Sequence, residues 1–215
     1  MSSRSGTATA VGLLFITQMA TAIAGTALIQ RFVDGDPARL PLTIGVGLMT
    51  CSGLAVVAIG LLMYPVLSAV DQGLAVWYPV LRIVECTVSV ACGVYLLARS
   101  EVVPNHLLWV YVPTAAGGLI MTFLLFQGGL VPRPIAMLGI IGYACLAVGI
   151  PLDLLGALYM DAGAGQALLV PGGLFEGVVL PIWLIAYGFR PPRIDGRASR
   201  GRSTGRTERP FGWAH

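Results

Sequence analysis

Six long apolar stretches dominate this chain, at about 8–29, 44–67, 74–97, 107–126, 135–158 and 167–189. The hydrocarbon core of a bilayer takes roughly 20 apolar residues of α-helix to cross. A backbone facing lipid must satisfy its own hydrogen bonds, which leaves helices or a closed barrel. Barrel strands would alternate in character over about ten residues, and these runs are continuous. The stretches therefore predict an all-α, polytopic transmembrane bundle of six spans over residues 8–189, preceded by a short arm at 1–7. Composition agrees: 56% of residues are apolar and 11% charged, against about 25% charged in soluble domains. That balance excludes a soluble globular domain, a disordered chain, a collagen-like repeat and a disulfide-stapled secreted module. The first stretch has the outline of a signal peptide, with Arg4, an apolar core and Ala22-Ile23-Ala24. Its uncharged length favours an uncleaved span instead.

Short connectors rich in Gly and Pro separate the spans. Pro65, Pro132 and Pro134 suit helix ends, because proline lacks a donor and disfavours α geometry in the preceding residue. Pro113, Pro151 and Pro181 fall inside spans four, five and six, where kinking or local unwinding is expected.

Every basic side chain apart from the two histidines is Arg, 13 in all. Seven lie in residues 190–215, which carry net +5, while residues 1–189 carry net −2. This distribution predicts that both termini face the cytoplasm, with Arg31, Arg39 and Arg99 on the opposite side. The tail, rich in Arg, Gly, Ser and Thr, cannot bury a core and is expected to be disordered. Its natural partners are the anionic headgroups of the cytoplasmic membrane, at about 1 kcal/mol per basic residue close to the surface. Nucleic-acid binding is the less plain account of the same charge.

Few constellations of catalysis are present. The two His, His106 and His215, cannot supply a haem or zinc pair, and no metal or cofactor is expected. The four Cys are scattered singly, without Cys-x-x-Cys, as small buried thiols would be. Nucleophile-elbow, Walker and dinucleotide fingerprints are missing.

The positive signal is charge inside spans. Arg82 and Glu85 lie in span three and Glu176 in span six. A charge at mid-bilayer costs roughly 2.5–3.5 kcal/mol on insertion scales unless it meets a partner or water. Arg82 and Glu85 are three residues apart and share a helix face, which continues through Ser89 and Cys92. At 1.5 Å per residue, Arg82, Glu85 and Glu176 lie roughly 12, 16 and 20 Å from the same surface, nearly one layer. The expectation is that all three converge across two neighbouring spans. Such a cluster serves either to fix helix packing or to form a polar pocket for a proton or a cationic ligand group.

Three further residues are secondary candidates. Asp153 shares a face with Gly142, Gly149 and Gly156, a spacing that permits close helix contact, and sits near the outer end of span five. Gln18 belongs to a small polar stripe with Thr21 and Gly25 in span one. Tyr187 follows Glu176 and Trp183 along span six, as packing or an interfacial belt first and a pocket wall second.

Four segments carry a family resemblance: Ala10–Ile16; Leu62–Leu67 with Gly73–Ala75 and Arg82–Glu85; Leu130–Arg133; and Phe175-Glu176 through Trp183–Ile185 to Gly188-Phe189. In their order and spacing the chain resembles an uncharacterised bacterial integral-membrane family, domain of unknown function 4386. The resemblance implies six or so spans and no known reaction, and it puts Arg82, Glu85 and Glu176 at characteristic motif positions. A short third connector and the long Arg-rich tail depart from the family pattern. Together these readings favour a non-enzymatic accessory or sensory protein that binds a lipid-like or small ligand. A small proton- or cation-coupled carrier is the alternative, followed by a lipid-modifying enzyme.

Overall fold

A computed structural model describes residues 2–35, 38–103, 105–160 and 163–191. Among these, six helical spans are long and apolar enough to cross a bilayer, and no strand occurs. The chain is a multi-pass membrane protein in architecture. Leucines, isoleucines and aromatic residues cover its outer surface; Leu40, Leu61, Trp109 and Ile182 are all more than half exposed.

Span one is α1 (Ser2–Val33) and span two is α2 (Arg39–Leu67). Span three joins the short α3 (Gln72–Ala75) to α4 (Trp77–Arg99). Asp71 caps α3 by accepting from the Leu74 amide at 3.0 Å. Spans four and five are α5 (His106–Gln127) and α6 (Arg133–Leu154). Span six is segmented. A 3-10 turn (Gly163–Leu168) leads to α7 (Val170–Leu174), a π turn (Phe175–Val179) and α8 (Leu180–Tyr187).

Several boundaries differ from the sequence reading. The expected arm at 1–7 is helical from Ser2, so α1 runs beyond its apolar stretch at both ends. Span five stops at Leu154 rather than 158, where Asp153 begins a turn. Pro113 and Pro151 lie inside helices that continue past them, since a proline deletes only one hydrogen bond of the ladder. Pro181 is the second residue after the π turn. It has no N–H for the Gly177 carbonyl, and the Leu180 amide bonds five residues back to Phe175. The Arg-rich tail from 192 onward lies outside the described residues.

Each span packs against the next, and span six closes on span one. Gly12 meets Ile185 and Ala8 meets Gly188, so the chain enters and leaves at the same end of the bundle. Small residues set the helix approaches, as membrane packing requires. A Cβ on Gly25 would sit 2.9 Å from the Gly45 carbonyl, holding α1 against α2, and one on Gly142 would sit 2.5 Å from the Gly172 amide nitrogen, holding α6 against α7. The main apolar core gathers Phe15, Met63, Leu67, Leu124 and Leu184 nearer the termini and runs on to Leu108, Leu146 and Met160 towards the other end. A small second cluster, Leu42, Val46 and Leu96, joins α2 and α4 at that other end.

Candidate functional site

Arg82 is the centre of the polar interior. Its side chain is 2% exposed, and Gly60 of α2 and Gly117 of α5 leave room for it on either side. Nη1 donates to Glu85 Oε2 at 2.7 Å and Nη2 donates to Glu176 Oε1 at 3.0 Å. The Tyr143 hydroxyl donates to the same Glu176 oxygen and receives a long bond of 3.4 Å from Nη2. The guanidinium also lies 5.2 Å from the centre of the Tyr78 ring, within cation–π range. Charge-assisted bonds of this kind are roughly twice as strong as neutral ones, and here one guanidinium is shared by two acids.

Local structure aims each group. Glu85 follows Arg82 by less than one turn, so both leave α4 on one face. Glu176 sits in the π turn, where an extra residue per turn shifts the side-chain register; such turns often occur at functional sites. Tyr143 lies against Gly118 of α5, where a Cβ would be 2.0 Å from the ring. Any side chain there would displace the phenol. Phe175 packs edge-on to Tyr143, with ring centres 6.2 Å apart, and fixes the ring from the other side.

The three charged residues therefore do converge, but not across neighbouring spans as expected. Spans three and six share no substantial backbone packing; α4 is flanked by α2 and α5, and span six by α6 and α1. The long Arg82 side chain bridges the interior instead. Sequence reasoning also missed Tyr143 and Tyr78. A tyrosine in the middle of span five was a visible signal, since a buried phenol usually needs a partner. Two buried donors next to the ion pairs, Arg82 Nε and Tyr78 Oη, have no hydrogen-bond partner among the described residues.

The secondary candidates lie elsewhere. Asp153 accepts from the Met160 amide at 2.8 Å and closes the turn after α6, while Gly156, last of the glycine series, falls outside the helix at φ +67°. The Gln18 backbone carbonyl accepts from Ser52 at 3.1 Å and ties α1 to α2; the Gln18 side-chain oxygen is buried without a hydrogen-bond partner among the described residues. Tyr187 is 74% exposed and stacks on Trp183 at 4.4 Å, with Arg190 on that ring at 5.4 Å. These three rings and charges mark the termini end of span six and do not reach the Arg82 network.

Among the described residues no group of three His, Cys, Asp or Glu is placed to hold a metal ion. The four cysteines are free. An apolar groove of about 320 Å³ runs along the outside, between Leu74, Leu119, Ile120, Phe123 and Ile140, away from the acids. No protein-family model, curated protein or solved structure matches the chain.

Proposed function

We propose that this is a non-enzymatic accessory or sensory protein of the bacterial inner membrane, with both termini in the cytoplasm. In this reading its Arg82–Glu85–Glu176–Tyr143 network binds the polar group of a small or lipid-like ligand. Membership of the domain of unknown function 4386 family is part of the same proposal. The observation that carries it is the charge count: two carboxylates share a single guanidinium deep within the spans. A network meant only to fasten helices gains little from such an unmatched acid, because buried ion pairs add little net stability even when balanced. No nucleophile–base pair accompanies the cluster, which weighs against catalysis.

The test uses dodecylammonium as probe, titrated calorimetrically into the purified full-length chain. Saturable binding is expected, weakened at least about tenfold by Glu176→Gln, the loss of one charge-assisted contact. Circular dichroism and gel filtration check that the variant keeps its fold. Equal titrations in both proteins, or no saturation in either, would refute the reading.

A proton- or cation-coupled carrier is the second reading, favoured by the π turn that presents Glu176. Turns of this kind within helices often occur at functional sites. In proteoliposomes with a pH-sensitive dye, a carrier would show flux that Glu176→Gln abolishes.

A further inference from the structure

We propose that the outer groove over α5 holds one acyl chain of an anionic phospholipid from the leaflet facing the termini, with its phosphate resting between Gln127 and Arg133. The site is separate from the Arg82 network and from the Arg-rich tail, and it stands whether or not that network binds a ligand.

The recess has a structural origin. Span four is the most deeply set of the six, with half of its apolar stretch buried. Leu74 comes from the span on one side of it and Ile140 from the span on the other, while Leu119, Ile120 and Phe123 belong to α5 between them. The volume of about 320 Å³ lies at the lower end of small-ligand sites, and the lining is wholly apolar. In a bilayer an acyl chain is what fills such a recess.

Polar groups stand beyond one end of the groove. Gln127 follows Ile120 by seven residues and Phe123 by four, so it leaves α5 on the groove side, about 6–11 Å nearer the end that carries the termini. Arg133 precedes Ile140 by seven residues, on one face of α6 and about 10 Å nearer the same end. Both side chains are exposed, and neither makes a hydrogen bond or ion pair among the described residues. Donors set about 10 Å beyond an apolar recess follow the order of a phospholipid: chain, glycerol, phosphate.

Charge selects the headgroup. The connectors at 68–71 and 128–132 touch, since a Cβ on Gly128 would sit 2.4 Å from Val70. The one acid in them, Asp71, accepts from the Leu74 amide at 3.0 Å. The Arg190 amide bonds the Leu130 carbonyl at 2.9 Å, which brings a second arginine to the connector that leads into Arg133. Two guanidinium groups against one carboxylate favour a lipid of net negative charge over a zwitterionic one.

The test replaces Phe123 with photoreactive p-benzoylphenylalanine in the full chain, held in liposomes of equal phosphatidylglycerol and phosphatidylcholine. Mass spectrometry identifies the lipid adducts after illumination. The reference site is Leu61 of α2, 57% exposed and about 9 Å from the same end of the bundle, where only the tail biases the lipids. The ratio of phosphatidylglycerol to phosphatidylcholine adducts at 123 is expected to be about fivefold that at 61, the contribution of one basic residue near the surface. Arg133→Gln should bring the ratio at 123 down to that at 61. Ile120 serves as the second reporter position if the Phe123 variant does not fold, as judged by circular dichroism and gel filtration. Equal ratios at the two sites, or a ratio at 123 that survives Arg133→Gln, would overturn the proposal. So would adducts to a second copy of the chain in place of lipid.

Discussion

Replacing Arg82 with Met removes the shared charge while keeping much of the stem. The wild-type side chain is 2% exposed and holds two acids at 2.7 and 3.0 Å. Removing one partner of a buried ion pair typically costs about 3–5 kcal/mol, because the remaining charge has neither water nor a counter-ion. With two acids stranded, about 4 kcal/mol or more is expected. The triple variant Arg82→Met/Glu85→Gln/Glu176→Gln carries no charge there, and neutral replacement of buried ion pairs is often close to harmless. It should fall within about 1–2 kcal/mol of wild type, and so be about 2–3 kcal/mol more stable than Arg82→Met alone. Reversible unfolding by sodium dodecyl sulfate in mixed micelles, followed by tryptophan fluorescence and helical circular dichroism, measures each value. A triple variant as unstable as Arg82→Met would refute the electrostatic account. The loss would then belong to the packing of the outer part of the side chain, whose Nε lies beside Gly117, which methionine cannot reproduce.

Tyr143→Phe deletes the hydroxyl that donates to Glu176 and should cost about 1–3 kcal/mol in the same assay. That cost should shrink in a Glu176→Gln background, where the acceptor is no longer charged; an unchanged cost would separate the phenol from the network. Gly142→Ala and Gly47→Ala should have opposite signs. A Cβ at 142 meets the Gly172 backbone at 2.5 Å and costs about 1–3 kcal/mol, whereas one at 47 meets nothing within 4 Å and gains up to about 1 kcal/mol in helix propensity. Melting temperatures of the two variants give the answer, and two shifts of the same sign would be inconsistent with the packing described.

The span count was legible because a bilayer imposes length and apolarity on each crossing, which are properties of contiguous residues. For the same reason Arg82, Glu85 and Glu176 could be singled out: charge within such a stretch is costly unless partnered. The position of Asp153 near the end of span five was also readable, although its bond to the Met160 amide depends on how the chain turns after Leu154. What the linear order does not contain is the order of helices around the bundle. Span three does not pack on span six, and only the reach of one arginine joins them across the interior. Tyr143 entered the network because Gly118 leaves space for a ring one helix away, a relation between residues 25 apart that no local pattern records. Proline at 181 hinted at a break, yet the π turn that aims Glu176 inward follows from both that missing donor and the packing around Phe175. Local chemistry determined which residues must cross the membrane and which must find partners; the choice of partners was made by close packing, where glycines let some helices approach and long side chains span what remains.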